Sequence, residues 1–540
     1  MSTLLTLLLQ RLRRDRLQLL IWVVGIALLA LFSVSAVEKT YGDPAGRENI
    51  LQLAVANPSI LMLRGTPEGG GLDQFVFFEI FTFIAVLASL MNTFLSVRHS
   101  RAEEESGRAE LLAATPAGRT LPTVATIIYG ALVNVVNGLF VALAFIAGGL
   151  DAKGSFVAGC ATAAVGLTFL AVGLFAAQLM RTSRGANGVA AATVTAAYVI
   201  RGIGDALGTP SVDHLHMTVA WWSWISPIGW GQQTLAYDAN TLTPLLLNLA
   251  LTAAFLSLVF VLQARRDSGA SLLPGRLGRV DARNSLSTSL GLAWRLQWPT
   301  VVGWCVGSAV AGLLTGTLAH AVSGAATADP NVEKVMESLI PGGKGSLVQL
   351  FISAIFVMVG VLAAACATQV IIRMRQEEVS GTAEQVLATR VSRSRWLVGY
   401  LTVGTASIVL VLLSGAAASG LSAVAVGDDS ARVGDSFAAA AAQLPAALLY
   451  LSVLALVFVV LPGLTVGLGW TLLGLGTVFG LFGGLVGMPE WMRDMSPFTH
   501  SPVPIGTSTD WSGGIWMLCI AVVVAILATV GMKQRELTTA

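Results

Sequence analysis

Two stretches of this chain gather charge in a pattern that bears on chemistry. RAEEESGRAELLAATPAGR (Arg101–Arg119) and RQEEVSGTAEQVLATRVSR (Arg375–Arg393) align at an offset of 274 and share ten identities, in a chain only 11% charged. Arg101/Arg375, Glu103/Glu377, Glu104/Glu378, Ser106/Ser380, Gly107/Gly381 and Glu110/Glu384 are among them. Acids in the first turn favour a helix starting near residue 102, because they face the positive end of the helix dipole. Gly107 and Gly381 weaken each helix or mark close approach of another surface. Pro116 ends the first copy, and Arg390 at that place in the second lets it run longer. Carboxylates and guanidiniums on a short helix make either a solvated surface helix or, given the repetition, a docking surface for a partner whose basic groups Glu104 and Glu378 would reach, rather than a catalytic set.

The remaining reactive residue types make no enzyme. Cys160, Cys305, Cys366 and Cys519 lie inside apolar runs without metal-ligand spacing and read as packing residues. His214 and His216 flank no cysteine or acid cluster that would complete a metal site beside Asp213. A phosphate-binding loop needs G-x-x-x-x-G-K-[ST]. PGGKGS at 341–346 lacks that spacing and follows Lys344 with Gly. The chain is therefore read as a non-enzyme that binds no cofactor of its own.

The elements that must position the charged pair are membrane helices. Of 540 residues 55% are hydrophobic, the mean hydropathy is +0.75, and apolar runs of about twenty residues recur throughout. The net charge of +2 argues against a nucleic-acid partner. The expectation is an all-α polytopic membrane protein of about twelve transmembrane helices. The spans are placed at 17–37, 73–97, 121–148, 155–179, 186–207, 242–263, 299–322, 347–372, 396–423, 437–460, 462–487 and 513–532. Residues 2–15 read as a separate amphipathic helix on the membrane surface.

Arg11, Arg13, Arg14 and Arg16, then Arg181 and Arg184, the arginines of the 264–296 linker, Arg390–Arg395, and Lys533 with Arg535 fall on one side. By the positive-inside rule that side is cytoplasmic, with both termini inside. Further echoes run in the same order: RLQLLIWVVG and RLQWPTVVGW, GGLDQF and GSLVQL, Trp221 with Ser226-Pro227 and Trp491 with Ser496-Pro497. The chain thus reads as two parallel six-helix repeats: a first half at 1–263, a basic cytoplasmic linker and surface helix at 264–296, and a second half at 297–540. Each charged segment lies between spans 2 and 3 of its half.

R-x-E-E-x-S-G-x-A-E-x-L/V-x-A-T after the second span resembles the coupling-helix region of type-2 ABC transporter permeases. The whole chain is similar to the exporters of polyketide antibiotics (tetronasin-type) of actinobacteria. The resemblance implies a plasma-membrane permease that extrudes hydrophobic or amphipathic compounds. It also implies two cytoplasmic ATP-binding subunits, separately encoded, that carry ATP and Mg²⁺ and dock on the two coupling helices. Export of envelope lipids and ion-coupled secondary transport are the competing readings. Secondary transport predicts charged residues at mid-bilayer, whereas the ionisable residues here are few and near the outer end.

Polar residues inside spans are costly and read as functional candidates. Glu79 and Arg201 sit at similar depth, so Arg201 either pairs with Asp205 at i,i+4 or reaches Glu79 across helices. Phe77 and Phe81, at i,i+4, either line a cavity for flat apolar compounds or pack. Asn92 and Gln369 near the inner ends of spans 2 and 8, and Asn134 and Asn137 in span 3, suit interhelical hydrogen bonds. Phe77, Glu79, Phe81, Asn92, Arg201 and Gln369 are the candidate substrate-path residues.

Overall fold

A computed structural model describes residues 3–113, 118–213, 215–265, 271–273, 286–328, 347–483, 488–505 and 509–536. It is almost wholly helical and divides into two compact units, Met1–Leu277 and Gly278–Ala540.

The first unit opens with α1 (Thr3–Tyr41), a single helix of 39 residues. Its length of about 58 Å is roughly twice the hydrocarbon thickness of a bilayer. The expected separate surface helix at 2–15 is therefore corrected: it continues into the first span. No Gly or Pro interrupts RLRRDRLQLL, so nothing breaks the backbone hydrogen bonds there. Two short helices follow, α2 (Pro44–Ala56) and α3 (Pro58–Arg64). Next come α4 (Leu72–Arg98), the two turns α5 (Arg101–Glu105) and α6 (Arg108–Ala113), α7 (Leu121–Ala147) and α8 (Ala152–Leu179). The unit ends with α9 (Ser183–Ala206), a two-stranded ribbon of β1 (Thr209–Pro210) and β2 (Met217–Thr218), α10 (Pro227–Gln232) and α11 (Leu245–Arg265). Helices α7 and α8 approach closely where Gly138 faces Gly159. A Cβ on either would lie about 2.5 Å from the other's carbonyl oxygen, so only glycine permits that crossing.

The second unit repeats the order with α12 (Ser289–Ala328), α13 (Leu347–Val379), α14 (Thr382–Leu387), α15 (Arg393–Ala425) and α16 (Ala431–Val460). It closes with α17 (Thr465–Thr477), a single π-turn at Val478–Phe482, α18 (Glu490–Arg493) and α19 (Ser512–Gln534). The surface helix assigned to the linker also proves continuous with its span, since α12 runs through Pro299. The expected break between spans 10 and 11 is present: α16 stops at Val460 and Pro462–Leu464 form a 3₁₀ turn.

Among the described residues eleven helices are long and apolar enough to cross a membrane, not twelve. The one that falls short is α9, which replaces the expected span at 186–207. It is a 24-residue helix, but it is rich in Gly, Ala and Thr and carries Arg184, Arg201 and Asp205, which lower its hydropathy. Each unit has its own core. In the first, Phe75, Phe81, Phe145 and Phe169 are fully buried between α4, α7 and α8. In the second, Phe356, Tyr400 and Phe458 occupy the corresponding centre of α13, α15 and α16.

The Ser-Pro echo has the same structural job in both units. Ser226 Oγ donates to the Ala197 carbonyl of α9 (2.7 Å), and Ser496 Oγ to the Gly476 carbonyl of α17 (2.6 Å). Each hydroxyl ties the segment before the last span to the helix that precedes it. Gln74 and Gln349, aligned in sequence, do not share a role: Gln74 accepts from the Gly71 amide, whereas Gln349 donates to Asp435.

Candidate functional site

The two charged segments fold alike. In the first, α5 and α6 meet at Ser106-Gly107; in the second, α13 gives way to α14 at Ser380-Gly381. Gly107 and Gly381 have φ of +71° and +72°, the left-handed region that glycine enters at no steric cost. A Cβ at either would meet nothing within 4 Å, so backbone conformation, not close approach within the chain, requires glycine. In place of the expected single weakened helix, the first copy has two short helices about a glycine corner, and the second has the end of the long α13 and the short α14 about the same corner. The second copy does not run longer: α6 and α14 are both six residues. Pro116 itself lies outside the described residues.

The aligned residues divide into an inward and an outward set. Arg101 is almost fully buried; it pairs with Glu104 and donates through Nε to the Arg181 carbonyl (2.9 Å). Arg375 pairs with Glu378 (2.8 Å), and Glu378 also receives Arg535 from beyond α19. The Arg-x-x-Glu spacing places both partners on one helical face. Glu103 lies against Arg14 (3.2 Å), Arg11 (4.0 Å) and the His99 ring (3.6 Å). Its counterpart Glu377 pairs instead with Arg373 of its own helix (3.5 Å). Facing outward are Glu105, Ser106, Arg108 and Glu110 in the first copy, and Val379, Ser380, Thr382 and Glu384 in the second. Glu105 also accepts the Ser183 amide at the start of α9 (2.9 Å).

This corrects the expectation for Glu104 and Glu378 as acids free to enter a partner's basic cleft. Both are taken up by the chain's own arginines, and the Glu378 side chain is 0% exposed. Charge reversal at Glu378 would set three arginines together in a buried place, so it is no neutral surface change.

Sequence reasoning missed what anchors the first copy. Arg11 donates to Thr126 Oγ1 (2.8 Å) and the Pro122 carbonyl (3.1 Å) of α7. Asp15, buried, pairs with His99 and with Arg98 (3.1 Å), and lies 3.4 Å from the Tyr129 hydroxyl. In the sequence RLRRDR reads as a topology signal and as part of the amphipathic surface helix, neither of which calls for internal partners. The lone acid inside it was the clue to an internal ion network. These contacts, with Gln263 Nε2 on the Arg119 carbonyl (2.8 Å), bring the basic stretches of the first unit to one end.

The candidate substrate-path residues do not converge. Arg201 and Asp205 pair at 2.8 Å with both side chains fully buried, and Arg201 also donates to the Met62 carbonyl (2.7 Å) and lies over the Tyr198 ring. Glu79 pairs with Arg64, not with Arg201. Phe77 and Phe81 stack on each other with centroids 4.5 Å apart inside the core, so the cavity alternative finds no support in their packing. Asn92 and Asn134 exchange hydrogen bonds at 2.9 and 2.7 Å between α4 and α7. Gln369 accepts from Trp304 Nε1 (3.0 Å) in the other unit.

At the opposite end of the first unit, Glu68 sits in the loop before α4 with Thr66 Oγ1 donating to it (3.3 Å). Burial pushes its carboxyl up to about 8, helped by Asp238 and Asp205 nearby. Exposed Asp213 bonds Ser211, the Leu215 amide and the His216 ring (3.0 Å), which hold its carboxyl down at about 2. His214 lies outside the described residues. Among the described residues no group of three or more His, Cys, Asp or Glu side chains is arranged to hold a metal.

Comparison with known proteins adds the family context. The family described as "Multidrug efflux system permease Rv1217c, C-terminal domain" matches residues 6–262 and 286–533. The multidrug efflux system permease protein Rv1217c of Mycobacterium tuberculosis is 33% identical over 527 residues, covering 97% of this chain and 93% of the relative.

Proposed function

Given that the chain belongs to the family of the multidrug efflux system permease Rv1217c, we propose that it is the membrane subunit of an ATP-driven ABC exporter. It is a multi-pass membrane protein. The proposed cargo is hydrophobic or amphipathic drugs, antibiotics of the polyketide type included. Energy comes from two copies of a separately encoded cytoplasmic ATP-binding subunit, which hold ATP and Mg²⁺. The membrane is the plasma membrane, with both termini and both charged segments on the cytoplasmic side.

The observation that carries this reading is the repeated α5–α6 and α13–α14 corner. Each copy fixes its Arg-x-x-Glu pair inward and leaves Ser106/Ser380 and Glu110/Glu384 outward on an unshielded edge. A transporter that takes force from two soluble subunits needs two such surfaces, rigidly joined to spans, with contacts that differ between states. Here the joint is direct: α13 is one helix from Leu347 to Val379, and α5 follows α4 after two residues.

The test is reconstitution with the candidate ATPase. Two ATPase copies per chain and drug-stimulated hydrolysis support the assignment. A stable complex with one ATPase, or drug transport driven by a proton gradient without ATP, refutes it.

A further inference from the structure

The four arginines of RLRRDR divide two and two. Arg11 and Arg14 hold groups of the chain itself, Thr126 and Glu103. Arg13 and Arg16 are exposed and make no ion pair or hydrogen bond among the described residues. At i,i+3 they are neighbours on the α1 surface. On both sides of Arg16, at three- and four-residue steps, run leucines that form one wall of a groove of about 600 Å³ against α7. Leu12, Leu19 and Val23 face Val133, Val136 and Phe140 across it, and its lining is almost entirely apolar. Most of the apolar window of α1 is unburied, so the groove opens to the surroundings of the unit.

We propose that this groove is a binding site for one anionic phospholipid, with an acyl chain along the α1–α7 wall and the phosphate bridging Arg13 and Arg16. Guanidinium pairs match phosphate oxygens in geometry and charge. Basic residues at a membrane surface draw anionic headgroups. A second copy of the chain fits less well. A two-fold contact through this stripe would bring identical arginines together. An exported drug has no fixed need for two cations beside an apolar slot, whereas an anionic phospholipid has both features in one molecule. The inference does not depend on how transport is powered.

The probe is a phosphatidylglycerol with a photoactivatable acyl chain, in phosphatidylcholine vesicles holding the full chain. Labelling is mapped to peptides. Label is expected within Thr3–Tyr41 and Leu121–Ala147, competed by unlabelled phosphatidylglycerol and not by phosphatidylcholine. R13Q with R16Q should reduce it by roughly tenfold or more, since each arginine contributes about fivefold to binding an anionic lipid. R13K with R16K should restore most of it, and Val136→Trp, which fills the groove, should abolish it. If the glutamine variant is not monodisperse, the competition on the unaltered protein decides. Equal labelling by a phosphatidylcholine probe, or label unchanged in R13Q/R16Q, overturns the proposal. So does competition by a hydrophobic drug but not by phosphatidylglycerol, which would make the groove a cargo site, or α1–α1 crosslinks between copies that exclude the label.

Discussion

Glu378 offers the sharpest test of how the second charged segment is held. Its side chain has no exposure and takes charge-assisted hydrogen bonds from Arg375 and Arg535, each only 9% exposed. Such bonds contribute about 1.5–3 kcal/mol apiece. Removing the carboxylate also leaves two guanidiniums facing each other in a dry site, where breaking a buried ion network costs about 3–5 kcal/mol. Glu378→Ala is therefore expected to destabilise the second unit by roughly 4 kcal/mol. The aligned Glu104 is in a different position: its side chain is 20% exposed, and Arg101 keeps the Arg181 carbonyl when the acid is removed. Glu104→Ala should cost less, about 2 kcal/mol, because one charge-assisted bond to the buried Arg101 is lost rather than two. At roughly 2–4 °C per kcal/mol for a unit of this size, the first change lowers the melting temperature by about 10 °C and the second by a few degrees. Thermal unfolding of the detergent-solubilised protein, followed by size-exclusion monodispersity, reads both. Equal shifts for the two variants, or a silent Glu378→Ala, would refute the claim that Glu378 anchors two arginines in a dry site while Glu104 holds one from a partly exposed position.

Glu110→Arg with Glu384→Arg should fold normally, because exposed charge changes cost under about 0.5 kcal/mol, yet should lose ATPase copurification and drug-stimulated hydrolysis; full coupling in that variant would remove the outward edge from the docking surface. Arg201→Ala strands the buried Asp205 and frees the Met62 carbonyl, so membrane yield and thermal stability should fall by about 3–5 kcal/mol, against the alternative of a stable protein with altered drug preference. Glu68, raised by burial from 4.5 to about 8, binds its proton more tightly folded than unfolded; stability should decline as pH rises from about 5 through 8, and Glu68→Gln should flatten that decline in melting curves taken across the range. A double-mutant cycle on Asn92 and Asn134 should give a coupling of about 1 kcal/mol between α4 and α7, and zero coupling would mean the amide exchange is not formed in the membrane.

Helix positions were legible because hydropathy records them directly. The bounds expected for the second span, 73–97, differ by one residue at each end from Leu72–Arg98. The span expected at 186–207 overrated the hydropathy of α9; the other failures turned on determinants that hydropathy does not record. The separate surface helix at 2–15 rests on the amphipathic pattern of a basic cluster after an apolar run, but that pattern does not break a helix that lacks Gly and Pro. The glycine corner was legible as a breaker and not as a left-handed turn, since a sequence shows permission for positive φ but not its use. The Arg101–Glu104 and Arg375–Glu378 pairs lie three residues apart and were within reach of a helical wheel. Arg14 on Glu103 and Arg535 on Glu378 are 89 and 157 residues apart, and no spacing rule connects them.

That contrast bears on how the two copies work. The local pair is the same in both, so each segment is oriented by the same i,i+3 device and presents the same Ser and Glu outward. The distant anchors differ. The first copy is held by the start of α1 through Arg11, Arg14 and the Asp15–His99 contact, and by Arg101 and Glu105 on the beginning of α9. The second is held by Arg535, at the other terminus of the chain, whose guanidinium also lies over Phe458. A force applied to the outward edge of the first copy therefore meets α1 and α9, whereas at the second it meets α19 and the core of α16. On the proposed function, two identical soluble subunits pressing on these edges would meet the same Ser and Glu but not the same neighbours (Glu105 and Arg108 against Val379 and Thr382), and would move different helices, so the anchors would make the two halves mechanically unequal.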